Sequence, residues 1–167
     1  NLEALNISEP ERVLKIHRAY LEAGAEMTET NSFGANRIRL ARYGLEQKVS
    51  EINNKAVALA RQAAGEKALV AAAVGPLGKA LAPWGALSEA EAEEAFAEQF
   101  EALLSGKPDL VLLETFSDLA EVKIALKVLQ KLNNSLPVAV TMAFLPEGTT
   151  ALGTEAVEAA RELRQLG

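Results

Sequence analysis

The sequence predicts an α/β protein built on a parallel sheet, and three observations lead there. Apolar runs at residues 68–74 and 110–113 are continuous rather than alternating, the pattern of strands covered on both faces. Each run is followed by a longer stretch whose apolar residues recur at helical spacing. Strand and helix then keep alternating along the chain, the order that right-handed β–α–β crossovers produce.

Taken in order, Ser8-Glu9-Pro10-Glu11 predicts a helix start. Ser8 can cap, Glu11 can reach back, and Pro10 loses nothing in a first turn. Val13, Leu14, Ile16, His17, Tyr20 and Leu21 follow at helical spacing, and Gly24 can end the helix in a left-handed conformation. A short strand is expected over residues 25–30. A helical stretch over 36–42 breaks at Tyr43-Gly44, and a longer helix over 46–64 puts Val49, Ile52, Ala56, Leu59 and Ala63 on one face. The strand at 68–74 leads into a loop holding Gly75-Pro76, Gly78, Pro83, Trp84 and Gly85. Ser88 and Glu91 form a second capping box, opening a helix with Phe96, Phe100, Leu103 and Leu104 on its core side. A strand over 109–115, a helix from about Asp118 with Glu121 three positions on, a strand over 137–143 and a helix capped by Thr154 and ending near Gly167 complete the order.

Four strands are half of what a closed parallel barrel needs, and such barrels run to about 250 residues. The chain opens in the approach to a helix with no strand before it and stops where the next strand is due. The expectation is one barrel domain over residues 1–167, truncated at both ends. The alternative is an open doubly wound sheet with helices on both faces, which periodicity does not separate from a barrel.

Composition narrows the function. The 167 residues, 17.8 kDa, suffice for one domain with a core. A net charge of −6, with acids and bases interspersed, argues against a nucleic-acid surface, which needs a basic stripe. No stretch approaches a membrane span and none reads as a signal peptide. Without cysteine there is no disulfide framework or thiolate metal site in this stretch, which fits a cytoplasmic protein. A single histidine, His17, rules out an all-imidazole metal site and argues against acyl-transfer chemistry. Its mid-helix position reads as structural.

In either architecture, functional groups gather at the C-terminal ends of the strands. Glu114 stands there after Leu110-Val111-Leu112-Leu113. An ionised acid beside such residues costs several kcal/mol unless paired, so it awaits a cation, such as a substrate ammonium group or a metal, or pairs with a neighbouring Lys or Arg. Glu29 is similar, although Thr30, Asn31 and Ser32 can hydrogen-bond it locally. Asn31 can orient a polar ligand or shape the turn before Gly34. Gly75 and Pro76 allow close backbone approach to a ligand or make a stiff turn. Trp84 can cover the site or pack on its rim. Gly78 is too isolated to signal a phosphate loop. Two strand-end carboxylates would also suit glycoside hydrolysis, but no sugar-stacking aromatic platform accompanies them.

The ordered set Glu29-Thr30-Asn31-Ser32-Phe33-Gly34-Ala35-Asn36, Val74-Gly75-Pro76-Leu77-Gly78 and Leu112-Leu113-Glu114-Thr115-Phe116 resembles successive motifs of the homocysteine S-methyltransferase domain, as found in bacterial methionine synthases of the cobalamin-dependent and reductase-fused types. Asn6-Ile7-Ser8-Glu9-Pro10, the segment from Ile16 to Ala25, Asn36-Arg37-Ile38-Arg39-Leu40 and Tyr43-Gly44-Leu45 match too, so the likeness spans essentially the whole chain. The resemblance implies a (β/α)8 TIM barrel, of which about four central units are present, and methyl transfer to the homocysteine sulfur to form methionine. It implies substrate-binding roles for Glu114, which would hold the homocysteine amino group, and for Glu29, Asn31, Thr115, Gly75 and Pro76. It further implies a zinc ion on three cysteine thiolates, lowering the thiol pKa, with cobalamin and methyltetrahydrofolate acting through other modules. Departures are clear: the family's first-strand motif and every cysteine ligand are absent, and Ala73 replaces a common serine. No residue is therefore assigned a catalytic or metal-ligating role, and the stretch alone is expected to be inactive. A dead barrel segment that self-associates through its unclosed sheet, or an unrelated carboxylate-using barrel enzyme, are the rival readings.

Overall fold

The computed structural model describes residues 1–133 and 135–166. Four strands, β1 (Met27–Glu29), β2 (Leu69–Val74), β3 (Leu110–Phe116) and β4 (Val138–Met142), form one sheet in the order β1-β2-β3-β4, with every pair parallel. Ahead of the sheet lie α1 (Leu5–Ser8) and α2 (Pro10–Glu22). Between and after the strands come α3 (Arg37–Leu40), α4 (Val49–Ala64), α5 (Glu89–Ser105), α6 (Leu119–Leu132) and α7 (Ala156–Gln165).

The strand order decides between the two architectures. Right-handed crossovers between strands adjacent in both sequence and space put every connecting helix on one face. A doubly wound sheet would reverse its order at a switch point, and among the described residues this sheet does not. The helices accordingly pack in series, α2 on α4, α4 on α5 and α5 on α6. The result is a section of barrel wall.

Strand alternation then sorts the side chains. Val70, Ala72 and Val74 of β2, with Val111 and Leu113 of β3, face the helices and pack with Val57, Phe96, Phe100, Val122 and Leu129. Phe96 lies 6.0 Å from Phe100 and 6.3 Å from Phe116, ring centre to ring centre. Burying each such side chain contributes about 1.5–3 kcal/mol, so this layer is the main source of stability. Met27, Glu29, Ala71, Ala73, Leu112 and Glu114 lie on the opposite face by the same alternation.

Local signals survive where the backbone needed them. Ser88 accepts from the Glu91 N–H, and Glu91 accepts from the Ser88 N–H at 2.9 Å, closing the expected capping box of α5. Asp118 caps α6 through the Ala120 N–H at 2.8 Å. Two expected caps are corrected. Ser8 ends α1 and donates to the Ala4 carbonyl, and Glu9 stands at the N-cap of α2 without capping it through its side chain. Thr154 lies one residue before Glu155, the N-cap of α7, and gives its N–H to Thr150 Oγ1. In both places a preceding turn claims the residue. The stretch over 36–42 divides into α3, capped by Asn36, and a 3-10 turn at Ala41–Tyr43, and Gly44 supplies the left-handed residue that ends it. α7 ends at Gln165, and the expected end near Gly167 lies outside the described residues.

Candidate active site

The C-terminal strand ends meet along one rim. Glu29 closes β1, and Gly75 and Pro76 follow β2. Glu114 and Thr115 lie near the C-terminal end of β3, and Thr141 lies opposite them in β4. Residues paired across a parallel ladder share a face, so Glu29 paired with Ala71, and Leu112 paired with Ala73, put Glu29 and Glu114 on the same open face. Between them β2 contributes only the small side chains of Ala71 and Ala73, both buried, so a shallow trough is left with an acid on either side.

The electrostatics of the trough are acidic. The pKa of Glu29 is raised, first because the surrounding protein withholds water from it and second because of the Glu114 charge. Among the described residues neither carboxylate forms an ion pair. The local pairing that the sequence left open for Glu114 is therefore not made. What remains is an acidic trough suited to a cationic group.

The rim of β1 is stitched to β2. The Ala73 N–H donates to Thr30 Oγ1 at 3.0 Å, and Ser32 Oγ donates to the Ala73 carbonyl at 2.7 Å. The Ser32 hydroxyl has one hydrogen, already given to that carbonyl, so in the 2.6 Å Thr30–Ser32 contact Thr30 is the donor. Next, the Gly75 N–H donates to the Phe33 carbonyl at 2.8 Å. A Cβ at Gly75 would lie 2.4–2.7 Å from three atoms of the Phe33 ring, so close ring-to-backbone packing requires glycine here. The Arg39 guanidinium lies over that ring, 5.4 Å from the centroid.

Asn31 is turned elsewhere. Its Nδ2 donates to the Leu2 carbonyl at 2.9 Å and to Asn6 Oδ1 at 3.0 Å, and its carbonyl accepts from Asn6 Nδ2 at 2.8 Å. It ties the N-terminal segment to the rim, so its donor capacity is already used. The other expected site residues, Glu29, Gly75, Pro76, Glu114 and Thr115, come together at the strand ends. Trp84 is 76 % exposed and packs on neither site nor rim to any large extent.

Thr115 carries a feature that no sequence pattern announced. Its φ is +58°, a left-handed conformation costly for a β-branched residue. The ladder to β4 shifts register between Leu113 and Phe116. The freed Thr115 N–H donates to Thr141 Oγ1 at 2.9 Å. This bulge sits immediately after Glu114, a position where bulges re-aim side chains.

Support for the rim comes from buried amides that sequence reading passed over. Asn6, Asn53 and Gln99 are fully buried and donate to the carbonyls of Asn31, Ala35 and Ser32 respectively, each at 2.8 Å. They satisfy a loop whose carbonyls have no ladder partner. The available signal was a polar residue inside an apolar stripe: Asn53 beside Ile52, and Gln99 beside Phe100. Glu121 was read only as a first-turn acid. It is buried at 6 % exposure, and its Oε1 accepts from the Leu77 N–H at 2.7 Å. His17 is buried with Nδ1 2.9 Å from Thr28 Oγ1, beside a cavity of about 530 Å³ along the outer edge of β1.

Among the described residues no three His, Cys, Asp or Glu side chains are grouped to hold a metal ion, and no helix is long and apolar enough to cross a membrane.

A singly wound parallel α/β wall with its polar groups at the strand ends defines a section of a TIM-barrel enzyme scaffold. The chain belongs to the homocysteine S-methyltransferase family, whose model matches residues 1–167. It is 32% identical to the methionine synthases of Mycobacterium leprae and Mycobacterium tuberculosis, over 175 residues in each case. Those alignments cover 99% of this chain but only 14% and 15% of the relatives. The metallated form of the homocysteine methyltransferase MmuM from Escherichia coli superposes with a TM-score of 0.84 at 23% identity, over 97% of this chain and 62% of that one. Its apo form gives 0.75 at 25% identity, over 99% and 60%.

Proposed function

We propose that this chain supplies the homocysteine-binding wall of an enzyme that methylates the homocysteine sulfur to form methionine. The observation that supports the reading is the pair of acids, Glu29 and Glu114, on one face at the strand ends without an ion-pair partner among the described residues. An amino acid brings its own ammonium group, which would pair with Glu114 and relieve the repulsion that Glu29 feels. Pro76, part-exposed beside the buried Gly75, would border the aliphatic part of the substrate. Thr115 would border the ammonium position, and Asn31 would act at a distance by holding the N-terminal segment against the rim.

On this reading residues 1–167 form part of a barrel domain, and further strands pair with the free edges of β1 and β4. The apolar residues Met27 and Leu69, 40 % and 52 % exposed, are then covered by the rest of the barrel rather than by a second copy. Zinc donors and the modules for the methyl donor, cobalamin and methyltetrahydrofolate among them, lie on other parts of a cytoplasmic protein. This chain's share of the reaction is to bind and orient the amino acid.

The test uses the full-length protein that contains this chain. Homocysteine binding by calorimetry, and methionine formation with each methyl donor, are measured for wild type and Glu114→Gln. Losing one charge-assisted contact, worth roughly 1.5–3 kcal/mol, should weaken homocysteine about 10- to 100-fold. Equal affinity in the two proteins, or no binding by the wild type, overturns the reading.

A further inference from the structure

The loop at residues 75–78 is held entirely from outside the trough. Arg39 Nε donates to the Pro76 carbonyl at 2.7 Å, and Arg42 Nη2 to the Gly78 carbonyl at 2.6 Å. The Leu77 N–H goes to Glu121 Oε1, and the Leu77 side chain is fully buried in the main core. Three successive residues thus have their backbone polar groups drawn away from the site. Gly75 is buried against the Phe33 ring, and Pro76 beside it keeps part of its surface exposed at the rim.

Among these contacts Glu121 is the one that neither local structure nor solvation demands. An acid in the first turn ordinarily bonds back to the helix start or stays in water. In α6 that role belongs to Asp118, which already accepts from the Ala120 N–H. Burying a carboxyl costs several kcal/mol when it is not fully paired, and Glu121 forms no ion pair among the described residues. Its tertiary hydrogen bond runs from the helix after β3 to the loop after β2. It therefore joins the element that follows Glu114 to the segment that carries Gly75 and Pro76.

We infer that Glu121 is a positioning residue, which sets where Pro76 stands at the rim of the substrate site by holding the Leu77 amide. The inference rests on the proposed homocysteine site. Without the Oε1 acceptor, Leu77 keeps its side chain in the core but its N–H has no partner, and the loop relaxes into the trough.

The experiment uses the full-length protein with Glu121→Leu, which keeps bulk without an acceptor, and Glu121→Gln, which keeps the acceptor without the charge. Two readouts are taken: amide exchange at Leu77 and the Kd for homocysteine. In E121L, exchange should quicken and Kd rise, each about tenfold, as expected for the loss of a hydrogen bond to a buried amide. In E121Q both should stay within about threefold of wild type. A folded E121L with wild-type homocysteine affinity overturns the inference, since a purely structural role would alter stability alone. Equal damage in E121L and E121Q also overturns it. If E121L does not fold, Glu121→Asp, one methylene too short to reach, decides by the same two readouts. A wild-type protein that does not bind homocysteine overturns the functional reading instead, and exchange at Leu77 then decides by itself whether Glu121 holds the loop.

Discussion

Glu29 and Glu114 stand on the same open face of the sheet, two strands apart, and the charge of Glu114 helps to hold the Glu29 carboxyl above its ordinary pKa. Neither is neutralised by a Lys, Arg or His among the described residues. Glu114→Gln removes the like charge but leaves the larger contribution, desolvation, in place. The Glu29 midpoint, followed by carboxyl carbon NMR, should fall yet stay above that of an ordinary glutamate. An unchanged midpoint would show that the two acids do not share a field.

Gly75→Ala tests the close approach of Phe33. A methyl group 2.4–2.7 Å from three ring atoms must displace the ring, and Arg39 packs over that ring. Overpacking of this kind costs about 1–3 kcal/mol. Denaturant unfolding should show that loss, and Phe33→Leu added to Gly75→Ala should recover part of it. A neutral single variant would mean that the ring has room to move.

Glu121 also predicts a pH dependence of stability. Its pKa is pushed up to about 7, chiefly by burial, with Asp118 adding to the rise and the Leu77 N–H and Arg39 opposing it. Because the folded pKa exceeds the unfolded one, the folded state binds more protons between about 4.5 and 7, and stability falls as pH rises through that window. At about 1.4 kcal/mol per pH unit the full effect is about 3 kcal/mol. Wild type should therefore lose stability relative to Glu121→Gln between pH 4.5 and 7. Parallel unfolding curves across that range would refute the assignment.

Thr115 stores backbone strain beside Glu114. A glycine accepts φ +58° without the penalty of about 1–3 kcal/mol that a β-branched residue carries there. Thr115→Gly should leave the protein at least as stable as wild type and, on the proposed function, weaken homocysteine binding several-fold, because the backbone that follows Glu114 becomes mobile. Thr141→Val, which deletes the acceptor for the Thr115 N–H, should cost about 1 kcal/mol. Thermal unfolding and calorimetry measure the two effects separately.

Much of this was legible in the residues. The apolar runs located β2 and β3, and the helical spacing of Phe96, Phe100 and Leu103 located α5 and its buried face. Ser88 with Glu91 marked where that helix begins. These are local properties: a continuous apolar run or a cap states its environment within a few residues. The ordered motifs from Glu29 to Phe116 named the family, because their spacing reflects which residues a shared fold must keep together.

Tertiary structure alone decided the rest. Strand order depends on which strands pair, and periodicity is blind to pairing; the motifs implied a barrel only through their resemblance to a family, and the sheet order shows the wall itself. Ser8 and Thr154 lost their expected caps because neighbouring turns took the Ser8 hydroxyl and the Thr154 backbone, a contest that the motif does not record. The donor of Asn31 went to Leu2 and Asn6, 29 and 25 residues away, and the carboxyl of Glu121 to a loop 44 residues away. Sequence states what a polar side chain can donate or accept. Only the packed chain, by removing water from some groups and bringing others within 3 Å, settles which partner each one takes.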